Sequence, residues 1–230
     1  RTNIPFKRFW LLVTAMPLVL PSYVGAFVIG SALGPKGLLQ QILSNMFGVD
    51  KLPDIYGLPG ATLTLSLFSY PYVLLTLRAV MRNLDPSIEE AARSLGDSSW
   101  KIFRRVIIPQ IVPAITSGAL LVGLYTLSDF GAVSLLRYET FTWSIYQQYQ
   151  TAFDRSIAAL LSLVLVGLAT VILVVEIWSR GRMKYFRTGS GVAHRQPLTR
   201  LEHWRWPAVI FCCGVVALSL VLPFAVLIYW

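Results

Sequence analysis

Side chains able to do acid–base or metal chemistry are few in this chain, and they are scattered. Cys212 and Cys213 are adjacent inside an apolar run. With no second spaced pair, neither a disulfide framework nor a zinc site is readable, and two small membrane- or helix-facing residues are expected. His194 and His203 lie in a basic polar stretch and, lacking ligand spacing, are expected to be solvated. Asp129, Tyr138, Glu139 and Asp154 carry oxygen ligands but form no ligand-spaced cluster, so no metal site can be named. Glu176 and Arg180 have the spacing of an ordinary ion pair along a helix. No nucleophile–base or metal constellation is present. There is no G-x4-G-K-[ST] phosphate loop either, so this chain is not expected to hydrolyse ATP. Polar chemistry concentrates instead in one stretch, residues 89–109, EEAARSLGDSSWKIFRRVIIP.

That stretch reads as two short helices at a bend. Asp85 suits an N-cap and Pro86 a first helical residue. Glu89 and Glu90 then fall near the first turn, where carboxylates complement the helix dipole. Ala91 and Ala92 favour helix and leave a small surface that a partner backbone can approach. Gly96 fits the position that stops a helix. Asp97 or Ser98 can cap a second helix, on which Trp100, Phe103 and Ile107 share a face. Arg104 and Arg105 follow, and Pro109 is expected to open the next apolar run. Two roles fit: a charged docking handle with Glu90 facing a basic partner, or an amphipathic hairpin resting on lipid.

The elements that must position this stretch are apolar. The chain is 55% hydrophobic and 13% charged, against roughly 25% charged in soluble domains, and its mean hydropathy is +0.62. A spanning helix needs about 20 mostly apolar residues. Five candidates satisfy this, at 9–30, 58–80, 111–127, 157–178 and 206–230. None alternates with a two-residue period, which excludes barrel strands. The expected fold is all-α, a polytopic transmembrane helix bundle. Pro17, Pro21 and Pro71 lie inside these runs and can kink them. The net charge of +9 could suggest nucleic acid, but the basic residues sit between apolar runs, so no nucleic-acid partner is expected.

Loop charge sets orientation. The N-terminal end carries three Lys or Arg, residues 78–105 carry six and residues 180–205 carry seven. The two alternate loops carry only Lys36 and Lys51, then Arg137 and Arg155. By the positive-inside rule the first group is cytoplasmic. Asp129 falls near the outer end of the third run. Carboxylates at membrane depth are costly and tend to be functional, but capping or anchoring that end is the role expected first. The chain opens with Arg1 and stops at Trp230 within an apolar run, so an internal fragment of a longer protein is expected.

The 89–109 stretch resembles the cytoplasmic motif of ABC importer permeases, E-A-A-x3-G-x9-I-x-L-P. Glu90, Ala91, Ala92, Gly96 and Pro109 match in spacing, with Val106 standing for Ile and Ile108 for Leu. The resemblance implies a type I ABC importer permease fold. It implies that Glu89, Glu90, Ala91, Ala92, Gly96 and Pro109 belong to a coupling helix docking on a dimer of ATP-binding subunits. ATP and Mg would be held by that partner, with no cofactor in this chain.

Three further stretches resemble the fused ferric-iron permeases: PLVLPSYVGAFVIG (17–30), SYPYVLLTLRA (69–79) and LSDFGAVSLLRYETFTWSIYQQYQTAFDRSIAALLSLVLV (127–166). By this resemblance, residues 1–180 are the later part of a first permease half with its coupling loop at 84–109. Residues 181–205 are a basic cytoplasmic linker, and 206–230 the first span of a second half. A periplasmic iron-binding protein, a second permease half and the bilayer are the implied partners. The inner membrane is the implied location, and Asp129, Pro71 and Tyr72 are candidates for the substrate pathway. Thiamine, phosphonate, polyamine and sulfate permeases share the motif, so those substrates stay open. A secondary transporter would want charged relays within its spans, and the clean span interiors argue against one.

Overall fold

Between Leu58 and Leu77 no residue is charged, and the first cations, Arg78 and Arg82, come at the end of the run. The computed structural model folds this stretch into one 26-residue helix, Leu58–Asn83, about 39 Å long and sufficient to cross a bilayer. The structure describes residues 6–35, 37–48, 53–84, 86–151, 155–181 and 205–229, and among these no strand occurs. In chain order the helices are α1 (Lys7–Val13), α2 (Ser22–Leu33), α3 (Leu38–Phe47), α4 (Leu58–Asn83), α5 (Pro86–Ser94), α6 (Ser99–Ile102), α7 (Ile108–Ser128), α8 (Gly131–Leu135), α9 (Phe141–Thr151), α10 (Ser156–Gly181), α11 (Arg205–Val216) and α12 (Leu222–Tyr229). Four stretches are long and apolar enough to span: Leu58–Arg82, Ser99–Ser128, Ser156–Trp178 and Arg205–Tyr229. The all-α bundle expected from composition is what forms.

The first expected span, 9–30, is not one helix. α1 gives way to a 3-10 turn, Met16–Val19, and then to α2, with a 95° bend between Phe9–Val19 and Ser22–Met46. Two prolines account for the break. Pro17 sits in the 3-10 turn, and Pro21 forces Leu20 into extended backbone (φ −81°, ψ 125°), because the residue before proline is pushed out of the helical region.

A second correction concerns Pro109. It was expected to start a span separate from the surface helix before it. Instead α6, a π-helical turn at Phe103–Ile107, and α7 run on as one stretch, Ser99–Ser128. The π turn absorbs the proline: Ile108 N–H bonds to Phe103 O, five residues back, which resets the carbonyl register just before a residue that has no N–H to give. The fifth span repeats the device. A π turn at Ala217–Val221 joins α11 to α12, and Pro223 follows it by two residues.

Small residues bring the helices together. At the α4–α7 crossing, Gly118 lies against Val73 and Thr76, and Thr76 Oγ1 donates to Ala114 O across the interface at 3.3 Å. α2 crosses α4 with Gly25 facing the Phe68 ring. Ala26, Ala61, Ala132, Val133 and Leu136 form a buried cluster joining α2, α4 and α8. A second cluster, Val28, Ala32 and Val226, joins α2 to α12. This is the small-residue packing expected where lipid, rather than water, surrounds the helices.

Candidate functional site

α5 starts at Pro86, as its fixed φ favours; the cap expected at Asp85 lies outside the described residues. Glu89 sits in the first turn and pairs with Arg93 at 2.9 Å. Glu90 is exposed. Among the described residues its carboxylate has no partner; only its backbone carbonyl is engaged, by Ser94 Oγ at 3.0 Å. Ala91 is exposed and Ala92 half-buried. The helix ends in a Schellman closure: Asp97 N–H bonds to Ala92 O at 3.2 Å and Gly96 N–H to Arg93 O at 3.0 Å. Gly96 holds φ +84°, in the left-handed region where glycine escapes the Cβ penalty. The glycine bend read from the sequence is therefore a specific hydrogen-bonded turn.

Beyond the bend, Ser98 takes the N-cap position in extended backbone without a side-chain cap bond, and Asp97 pairs with Lys101. Ile102 is 2% exposed and anchors the segment. Trp100, 70% exposed, stacks on Phe103 with ring centroids 5.7 Å apart. Ile107 is half-buried, while Arg104 and Arg105 are exposed. Ile88 and Leu95 are exposed as well. The segment thus presents apolar side chains, an aromatic stack and an open carboxylate on one short stretch, a composition that suits either a partner's surface or the lipid interface. The stretch Ser99–Ser128 has 30 residues, about 45 Å of helix. A hydrocarbon core is roughly 30 Å thick, so the end carrying Lys101, Arg104 and Arg105 can stand clear of it.

At the opposite end of α7, Asp129 is 8% exposed. Its Oδ1 accepts from Ala132 N–H at 2.9 Å and its Oδ2 from the Ser22 hydroxyl. Its backbone carbonyl accepts from Thr142 Oγ1 at 2.8 Å. These bonds cap α8 and tie α2 and α9 to the end of α7. Ser22 was not singled out in the sequence, and the 107 residues between it and Asp129 explain why. The small residues after Asp129 were the available signal for a capped turn.

Pro71 is fully buried in α4. Tyr72, next to it, is half-buried, and its ring meets Tyr125 of α7 at 5.8 Å. The partners of Asp129 and of Tyr72 share no residue, so the three pathway candidates do not form one cluster. Tyr138 packs on the α2–α4–α8 core, and Glu139 is exposed. Asp154, His194, His203 and the 182–204 part of the linker lie outside the described residues, as does the Arg180 side chain expected to pair with Glu176. Glu176 itself is buried. Cys212 is half-buried, Cys213 exposed, and both are free thiols. Among the described residues no group of three or more His, Cys, Asp or Glu could hold a metal ion.

Comparison with known proteins gives a consistent picture. Residues 1–184 match the family described as binding-protein-dependent transport system inner membrane component. The chain is 34% identical over 225 residues to the Fe(3+)-transport system permease protein FbpB 2 of Haemophilus influenzae, covering 97% of this chain and 41% of that protein. It is 30% identical over 184 residues to the molybdenum transport system permease protein ModB of Escherichia coli, covering 77% of this chain and 79% of that one. It is 32% identical over 130 residues to a probable sulfate transport system permease protein of Chlorella vulgaris, covering 56% of this chain and 47% of the relative. The chain spans less than half the length of the ferric relative.

Proposed function

The chain belongs to the family of inner membrane components of binding-protein-dependent transport systems, and we propose that it is part of the permease of an ATP-driven importer for ferric iron. The carrying observation is the exposed α5–α6 segment, placed between the two tightly packed helices α4 and α7. Its open Glu90, small Ala91 and Ala92, closed Gly96 turn and Trp100–Phe103 stack suit a groove in an ATP-binding subunit on the cytoplasmic side. Glu89, engaged by Arg93, orders the docking helix. Pro109, absorbed by the π turn, lies where the docking segment merges into α7.

This continuity suggests how force would travel. A push on α6 would move α7 as a rod, because no loop intervenes in Ser99–Ser128, and α5 would pass its load to α6 through the hydrogen-bonded Gly96 turn. α4 would follow, since Gly118 seats α7 directly on its backbone. The Tyr72–Tyr125 pair lies along this crossing and would move with it, which makes it the pathway candidate favoured over Asp129. Such a change is a rigid-body switch between two packed states. Iron is the substrate here; a soluble binding protein would hold it and the permease would offer passage. ATP and Mg would be bound by the partner subunits.

The test uses the full-length protein. Glu90→Lys is expected to reduce co-purification of the ATP-binding subunit roughly tenfold, a plausible effect of reversing a charge at an interface. Membrane insertion should be unchanged, because the Glu89–Arg93 pair and the Gly96 turn do not use Glu90. Undiminished binding would remove Glu90 from the docking surface. Radiolabelled ferric uptake, lost on gene deletion and restored with the gene, tests the substrate. The molybdenum and sulfate relatives support a second reading, an oxyanion importer, which molybdate or sulfate uptake in the same strains would reveal.

A further inference from the structure

A groove of about 540 Å³ lies between α9 and α10, walled by Phe130, Tyr146, Tyr149, Arg155, Ala159 and Leu165 among others. Its volume falls within the roughly 300–1,000 Å³ of small-molecule sites. We propose that it binds one phospholipid of the outer leaflet, with the phosphodiester on Arg155 and an acyl chain along Ala158, Ala159, Ser162 and Leu165.

The polar groups of the lining are largely spent. Thr142 Oγ1 is bonded to Asp129 O and Thr140 Oγ1, and Ser162 Oγ to Ala158 O at 2.8 Å. Among the described residues the charge facing the groove is Arg155, whose guanidinium lies 4.5 Å from the centre of the Tyr149 ring. A hydrated metal ion would meet a cation, and a small oxyanion would meet that cation with the two tyrosines Tyr146 and Tyr149 and an otherwise apolar wall, too few polar groups to replace its water. A lipid divides the same way the groove does. Arg155 immediately precedes Ser156, the first residue of α10, so the cation sits at the rim of the span. From Ala158 to Leu165 the floor descends about 10 Å along the helix axis.

The aromatic cluster at the mouth supports the same depth. Phe130 lies 4.9 Å from Tyr146 and 6.0 Å from Trp143, ring centre to ring centre. Tyr and Trp concentrate at the level of lipid headgroups. The flanks of the groove are equally apolar: Ile157, Leu160, Leu163 and Val164 are exposed, and only 6% of the apolar window of α10 is buried.

The test uses the full-length importer with its ATP-binding subunits, reconstituted in phosphatidylcholine vesicles. The probe is a phosphatidylcholine carrying a diazirine on its acyl chain. Photolabel is expected to concentrate on residues 146–165 rather than on the inner half of α10, residues 168–178. Arg155→Gln should lower labelling roughly tenfold, the order expected on losing one charge-assisted hydrogen bond to the phosphate. Ala159→Trp, which fills the groove from an exposed position, should abolish it; Ser162→Leu serves if that variant fails to insert. Label spread evenly along α10, or unchanged in these variants, overturns the proposal. Displacement by inorganic phosphate would make the site a free-anion site and also overturns it. So would an Ala159→Cys crosslink to another protein chain, or to another part of the full-length protein, in place of lipid.

Discussion

At the residue scale, Asp129 shows how a membrane carboxylate can be costly and still structural. Its two oxygens are taken by Ala132 N–H and the Ser22 hydroxyl, so its carboxyl group holds three helix ends together. Asp129→Ala leaves those buried donors unpaired and should destabilise the protein by about 2–4 kcal/mol. Asp129→Asn keeps an acceptor for Ala132, and its amide can donate to the Ser22 oxygen, so the loss should be about 1 kcal/mol. Thermal unfolding in detergent measures both. Substrate uptake separates the roles: if Asp129 only anchors, the Asn variant transports at nearly the wild-type rate. A collapse of uptake with normal stability would return Asp129 to the pathway. The anchoring role was one of two readings open in the sequence. Ser22 could not be found there, since nothing local pairs a serine at the start of α2 with an aspartate at the end of α7.

At the element scale, the α4–α7 pair depends on one position with no side chain. A Cβ at Gly118 would stand 2.6 Å from Thr76 Oγ1 and 2.8 Å from Val73 Cα. The first neighbour can rotate away, but the second is backbone. Gly118→Ala should therefore cost about 1–3 kcal/mol by overpacking, measured by thermal unfolding. Adding Thr76→Ala should recover only part of that, because Val73 Cα stays in place. Full recovery would show that the helices separate freely and would weaken the proposed transmission of force from α7 to α4. Span positions were legible from hydropathy: 58–80, 111–127 and 157–178 fall within observed helices, and 206–230 does so as far as Tyr229, the last described residue. The exact form of the breaks was not. Pro17 and Pro21 announced a kink, yet whether a proline ends, bends or merely decorates a helix depends on where the preceding carbonyls point. At Pro109 a π turn two residues earlier redirects them, so an expected helix start is a helix interior, and the same device precedes Pro223. Gly96 was readable because a left-handed turn is a local requirement that few residues meet.

At the scale of the whole molecule, the fifth span is the informative element. By resemblance it opens a second permease half, yet its α12 packs into the first half. Val226 is buried against Val28 and Ala32 of α2, with Leu222, Leu33 and Leu38 around it, and the π turn buries Ser219 completely. The two halves would then be held together by side chains as well as by the 181–205 linker. In a bilayer, preformed helices associate through such packing rather than through the hydrophobic effect, so the linker should be dispensable for assembly. Residues 1–190 and 191–230, produced as separate polypeptides in one membrane, are expected to purify together. Val226→Trp places a ring where α2 leaves no room and should reduce recovery of the complex roughly tenfold, within the usual 1–3 kcal/mol of overpacking. Ile228→Trp is the control, because Ile228 is 84% exposed and its substitution should leave assembly intact. Separation of the unmodified fragments would mean that the linker alone keeps the fifth span beside α2. Equal loss in both tryptophan variants would place a partner on the exposed side of α12 as well.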